Sequence, residues 1–316
     1  EAPGRGLRRR AVLAAALAAP ALPALAVPGP VTLLVGAPAG SVTDSWARSF
    51  APFLERHWPR AGIAILNRPG EGGLAAARSL AAAAPDGRTI GAVRTPLLLA
   101  RAVESRAQPL LGRLAFLATV AEEPLVLVGQ AGGGMDLPAL RALGGQAVMG
   151  TPPQGSAAQL AGAALGRALT LGLLPFANAA AARQAVMAGN LPCALLALPE
   201  AIAALREGRL VGLGLAQDRR TDLVPDIPTF AEQGIPLRLA GHRGFATPSG
   251  TDPALLQPLL VALQAAVTDP DYADQAQAEG VLPRFLGPTA WGPMVSRTLA
   301  ELEARWSTDP WGSRPG

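Results

Sequence analysis

The sequence predicts an α/β protein in which short buried strands alternate with helices and the turns at the strands' carboxyl ends carry function. Three observations lead there. Short apolar runs recur along the chain, each bounded by glycine or proline and followed by apolar residues at helical spacing. Several of the turns between them are glycine-rich or end on a residue able to cap a helix. At 316 residues, half of them hydrophobic, the chain can also bury two cores.

The first 26 residues stand apart. Arg8-Arg9-Arg10 precedes an apolar run from Ala11 to Ala26, and Ala24-Leu25-Ala26 has the small-x-small form of a cleavage site, so residues 1–26 are expected to be an export signal, with the mature chain starting near Val27. Arg9-Arg10-Ala11-Val12-Leu13 also fits a twin-arginine signal, leaving that route open beside the general secretory one. Pro20 and Pro23 interrupt the run, which is shorter than the roughly 20 residues a membrane span needs. All 27 basic residues are arginine against 23 acids, and four of those arginines but only one acid lie in the leader. The remainder is close to neutral and holds a single tyrosine, which gives no nucleic-acid footprint. The lone Cys193 leaves no internal disulfide.

Val31-Thr32-Leu33-Leu34-Val35, between Pro30 and Gly36, reads as a buried strand. A turn follows, and Trp46, Phe50, Phe53, Leu54 and Trp58 then recur on one helical face, with Pro52 predicting a bend or restart. Residues 63–66 are a second strand, residues 74–84 a second helix closed by Pro85-Asp86-Gly87, and residues 89–93 a third strand. The same grammar repeats with strands at 125–128 and 147–150, a helix capped by Ser156, another capped by Asn178 and stopped by Gly189, and a third at 199–207. Strands at 191–197 and 210–216 separate them, with Pro192 limited to a strand start or edge. Residues 218–228 form a surface loop. Three helices close the chain: Pro253 to Val267 opened by Asp252, residues 272–279 stopped by Gly280, and residues 291–306 with Trp291, Val295, Leu299, Leu302 and Trp306 as a core stripe.

The turn Asn67-Arg68-Pro69-Gly70-Glu71-Gly72-Gly73 before Leu74 invites an anion: glycines let successive N–H groups converge, and the helix start adds unsatisfied donors. Residues 40–44 and 151–156 also lie between a strand end and a helix start and can offer donors in the same way. Glu71 must then point away from the anion.

These segments resemble the extracytoplasmic solute receptors of tripartite tricarboxylate transporters, the Bug receptors. The resemblance runs from Val31 to about Trp306. It is carried by Asn67-Arg68-Pro69-Gly70-Glu71-Gly72-Gly73, Ala84-Pro85-Asp86-Gly87-Arg88-Thr89, Gly40-Ser41-Val42-Thr43-Asp44, Gly155-Ser156 with Gln159-Leu160, Val224-Pro225-Asp226-Ile227-Pro228-Thr229, and the eight residues from Gly244 to Thr251. It implies a type II periplasmic-binding-protein fold: two α/β lobes, residues 27–123 with 245–316 and residues 124–244, around a ligand cleft. It also implies a periplasmic, non-enzymatic receptor, expected to be a monomer without metal or cofactor, that binds a small organic carboxylate and delivers it to the transporter's membrane subunits. The carboxylate is held largely by loop backbone groups. The residues expected at the site are Ala39, Gly40, Ser41, Val42, Thr43, Asp44, Gly72, Gly73, Leu74, Arg94, Thr95, Thr151, Ser156, His242 and Arg243.

This chain departs from the family pattern at Ser41, Gln159, Pro192 and around Phe176 and Ala177, and it carries Arg94 and His242-Arg243 where a small hydroxyl residue and an aromatic pair are usual. Arg94 or Arg243 is therefore either a partner for a second, distal carboxylate or an arginine on a solvated rim. Gly70-x-Gly72-x-x-Ala75 also fits a dinucleotide fingerprint, but the strand at 89–93 ends in Arg94 where that fold needs an acid. A receptor that feeds a signalling sensor is the other alternative. A thiol hydrolase on Cys193 with His57 or His242 is disfavoured, because Cys193 lies in a buried strand pattern. His57 reads as structural, and Glu122-Glu123 before Pro124 read as solvated at a lobe crossing.

Overall fold

The computed structural model describes residues 30–58 and 62–312; the expected export signal and the start near Val27 lie outside them. The chain opens with β1 (Val31–Val35), α1 (Val42–His57), β2 (Ile63–Asn67), α2 (Leu74–Ala81), β3 (Thr89–Thr95), α3 (Leu97–Glu104), α4 (Gln108–Leu111) and β4 (Leu114–Gln130). It continues through α5 (Leu137–Leu143), β5 (Val148–Thr151), α6 (Ala157–Leu169), β6 (Gly172–Pro175), α7 (Ala179–Met187), β7 (Cys193–Ala197), α8 (Leu198–Arg206) and β8 (Leu210–Leu215). It returns through β9 (Ala240–Pro248), α9 (Pro253–Val267), α10 (Pro270–Glu279), β10 (Leu282–Leu286) and α11 (Pro288–Thr308).

Two α/β lobes share one long strand. β1 pairs in parallel with β2 and β3, and β9 lies antiparallel between β3 and β4. β4 pairs with β9 from Leu114 to Pro124 and then, from Leu125 onward, with β7 and β8. β5 sits parallel between β7 and β6 in the second lobe. The residues expected to be a solvated crossing are thus inside a strand, and the first half of β4 is absent from the sequence reading. Its acids account for the difference: Glu123 is 3 % exposed and ion-paired to two arginines, so it does not mark a loop. β9 was hidden in the same way by His242-Arg243-Gly244. Gly244 is required there, because any side chain would strike the Ala118 carbonyl and the Trp291 ring.

In the first lobe, α1, α9 and α10 cover one sheet face and α2, α3 and α11 the other. Phe50 stacks on Phe245 at 5.5 Å and meets Tyr272 edge-on at 5.1 Å; truncating it to alanine should cost about 3–5 kcal/mol. α1 continues through Pro52, which sits on the exposed side. The stripe on α11 is core as expected: Trp291, Val295 and Leu302 are buried, with Leu299 and Trp306 packed beside them. In the second lobe, α5 and α6 cover one face and α7 and α8 the other. Cys193 lies buried there, and burial pushes its thiol up to about 12, which keeps it unreactive. Among the described residues no helix is long and apolar enough to cross a membrane.

Candidate functional site

Three capped helix starts meet in the groove between the lobes. Ser41 Oγ accepts the Asp44 N–H at 3.3 Å to start α1, Ser156 Oγ accepts the Gln159 N–H at 3.2 Å to start α6, and Asn178 Oδ1 accepts the Ala181 N–H at 2.8 Å to start α7. A cap of this kind satisfies the third helical donor and leaves the first two. Those are the N–H groups of Val42 and Thr43, Ala157 and Ala158, and Ala179 and Ala180, which have no acceptor among the described residues. All six residues line one cavity of about 670 Å³, a size suited to a small ligand. Gly72, Arg94, Thr95, Pro96, Arg101, Glu123, Arg183 and Glu200 are among the other residues of its wall.

The first loop is held from below. The Asp44 carboxylate accepts from Arg48 Nε at 2.9 Å, from Asn67 Nδ2 at 2.8 Å and from the Gly40 N–H at 2.8 Å. The Arg48 bond, with help from Asn67 and Gly40, holds its carboxyl at about 2 against the opposing effect of burial. Asn67 Nδ2 also donates to the Ala37 carbonyl, so the asparagine of the glycine-rich segment is the strut between the two loops.

The glycine-rich turn behaves differently. The Gly73 N–H donates to the Gly70 carbonyl at 3.0 Å and the Leu74 N–H to the Glu71 carbonyl, so residues 71–73 close on themselves as a 3₁₀ turn. Neither that turn nor α2 has a side-chain cap. Gly72, at φ 64°, is needed because a side chain there would strike Arg101, whose Nη2 reaches across to the Gln154 carbonyl of the other lobe at 2.9 Å. A second cavity of about 480 Å³ lies under this turn and shares Thr43, Gly72, Arg94, Leu97 and Pro153 with the first. Glu71 lines this second cavity, but its carboxylate is bonded to Arg78 at 2.7 and 2.8 Å on the surface.

Formal charge collects at the back of the groove. Arg94 and Arg243 are opposite one another on β3 and β9 and share Glu123: Arg94 Nη2 donates to Oε2 at 2.8 Å and Arg243 Nε to Oε1 at 2.7 Å. Arg243 also reaches Glu279 at 3.2 Å and lies over the Trp46 ring at 5.6 Å. Burial pushes the Glu123 carboxyl up, and the two arginines outweigh it, holding it at about 2.

The model of the tripartite tricarboxylate transporter family receptor, TctC, matches residues 60–286. The chain belongs to this family. Protein BugT of Bordetella pertussis is 26 % identical over 297 residues, covering 87 % of this chain and 90 % of BugT. MatC from Rhodopseudomonas palustris, solved with bound malate, is 25 % identical with a TM-score of 0.69, over 87 % of this chain and 97 % of MatC. A TctC solute-binding protein from Polaromonas superposes with a TM-score of 0.72 at 23 % identity, over 87 % and 96 % of the two chains, and shows the same fold. The expected two-lobed periplasmic-binding-protein architecture is therefore correct, and the dinucleotide alternative has no support in a receptor family.

Of the residues this TctC receptor was expected to use, Gly40, Ser41, Val42, Thr43, Gly72, Arg94, Thr95 and Ser156 line the interlobe cavity, and Gly73 lines its neighbour. Leu74 and Thr151 are buried behind them, and the Asp44 carboxylate is turned into its own loop. Ala39 is exposed beside the cavity rather than on its wall. Arg243 is 2 % exposed and does not line the cavity; its charge is used inside the fold. His242 faces a separate cavity with Glu122, Arg238 and Arg284, where burial pushes its imidazole down. His57 is tied to Asp269 at 2.8 Å, far along α1. Asn178, Arg183 and Glu200 were missed. Asn178 was legible as a cap, but the short, proline-ended β6 that precedes it was not, so its helix start had no strand end to belong to.

Proposed function

We propose that this TctC-family receptor captures a small organic carboxylate in the interlobe cavity and delivers it to membrane subunits of a tripartite tricarboxylate transporter. It acts after export, in the periplasm, as a monomer and without a cofactor. The reading is carried by the convergence of α1 from one lobe with α6 and α7 from the other, each presenting two free N–H groups and the positive end of its dipole. Malate bound to the relative MatC supports the ligand class. Hydrogen bonds to a charged group contribute about 1.5–3 kcal/mol each, so four or five can offset the entropy of binding and leave micromolar affinity, about −8 kcal/mol. A ligand that bridges both lobes favours their closure, and the closed form is what the membrane partner recognises.

A thermal-shift screen of the mature protein against organic acids tests this. A ligand at 100 times its Kd should stabilise by about 2.7 kcal/mol. No shift with any carboxylate, together with a shift from a nicotinamide dinucleotide, would overturn it.

A further inference from the structure

The cavity wall holds one acid whose bonding capacity the fold leaves open. Glu200 is the third residue of α8, and its Oε2 accepts the Ala197 N–H at 3.2 Å, closing the helix start; no donor among the described residues meets Oε1. The side chain is partly buried in the wall, and its charge interacts with Arg94 and Glu123 of the first lobe. Burial and the Glu123 charge push its carboxyl up, while Arg94 draws it down.

Two of the three arginines on the wall are already held by acids. Arg94 is bonded to Glu123 at 2.8 Å. Arg101 is bonded to Glu104 and to the Gln154 carbonyl. Arg183, one turn into α7, donates to the main-chain carbonyl of Glu200 rather than to its carboxylate and pairs with no acid among the described residues, so its charge stands beside the α7 start. A ligand whose carboxylate sits at the helix starts and beside Arg183 leaves two acids, Glu123 and Glu200, and an arginine that one of them holds for its other end. A second carboxylate there meets like charge in a partly desolvated site, whereas an ammonium or amide finds a free acceptor.

Resting on the carboxylate reading above, we infer that Glu200 sets the selectivity of the cavity: its free Oε1 receives a hydrogen-bond-donating distal group, so the ligand is a monocarboxylate carrying an amine or amide at its far end, and dicarboxylates are disfavoured. In this the chain departs from MatC, solved with the dicarboxylate malate.

The test is isothermal titration of the mature protein with straight-chain acids of about three to six carbons, matched in length and ending in ammonium, carboxamide or carboxylate. At the length that binds best, the donor-ended acid should bind about tenfold or more tightly than the dicarboxylate. Glu200→Gln keeps an acceptor for the Ala197 N–H while removing the charge, and it should bring that ratio to about twofold or less. Tighter dicarboxylate binding by the wild type, or an unchanged ratio in a Glu200→Gln protein of wild-type thermal midpoint, overturns the inference while leaving the carboxylate reading intact. If no acid binds, both fall. Should Glu200→Gln fail to reach the wild-type midpoint, the wild-type ratio decides alone.

Discussion

The helix starts at Ser41, Ser156 and Asn178 and the arginine cluster behind them both face the groove, and they hold opposite resources. The cluster has formal charge, but Arg94, Glu123, Arg243 and Glu279 satisfy one another. The helix starts have no formal charge, yet their first N–H groups have no acceptor among the described residues. Arg94 in the partly desolvated wall is held by a counter-ion, and the one the fold supplies is the one a ligand must displace. A helix N-terminus carries its unsatisfied donors without such a requirement. The glycine-rich turn is a third case: it bonds Gly73 and Leu74 to itself but leaves the Gly72 N–H, on the cavity wall, without an acceptor among the described residues. Unsatisfied backbone donors on the cavity wall therefore lie at the three capped helix starts and at Gly72.

The largest consequence falls on the cluster. Glu123→Ala leaves Arg94 and Arg243 without their shared partner and should cost about 3–5 kcal/mol in urea unfolding. A loss below about 1 kcal/mol would place these charges with ordinary surface pairs and break the contrast. The pH dependence has a definite sign. Glu123 sits at about 2 in the fold against 4.5 for the free group, so its contribution is present above about pH 4.5 and is lost as pH falls toward 2. Glu123→Gln should flatten that acid limb.

Asp44→Ala comes next. It removes the acceptor for Gly40, Arg48 and Asn67 together, and should cost about 1–3 kcal/mol of stability while weakening carboxylate binding, because the N–H groups of Val42 and Thr43 lose their fixed direction. Full stability with unchanged affinity would show that the first loop holds its shape without Asp44.

How much of this was legible can be argued from single elements. The helices α6 and α9 announced themselves through local caps, because a cap and the donor it satisfies lie within three residues, and α1 and α11 through the spacing of their apolar residues. β9 and the first half of β4 did not, because what allows Glu123 and Arg243 to be buried is each other, 120 residues apart in the chain. The same distance concealed the fate of Arg243, which sequence could place near the groove but not on which side of the sheet. Glu200 was missed for a different reason: a glutamate three residues into a helix reads as a capping group, and only the assembled lobes show Arg94 and Glu123 across from it.

Ser156→Ala sharpens the contrast at smaller scale. Losing the cap should cost about 1 kcal/mol of stability, and it should weaken carboxylate binding more than a change of that size elsewhere on α6, because the same helix start presents Ala157 and Ala158 to the cavity. The smallest effect belongs to Glu71→Gln. Its carboxylate is bonded to Arg78 on the surface, so carboxylate affinity should stay within about twofold of wild type. A larger change would bring the Glu71 side chain itself into the binding surface.

The most direct measurement is a crystal structure of the mature protein with the tightest-binding acid from the thermal-shift screen. The carboxylate oxygens should lie about 2.7–3.2 Å from backbone nitrogens of Val42, Thr43, Ala157, Ala158, Ala179 or Ala180, with Arg94 still bonded to Glu123. A carboxylate paired instead with Arg94, with Glu123 displaced and the three helix starts unoccupied, would contradict the account.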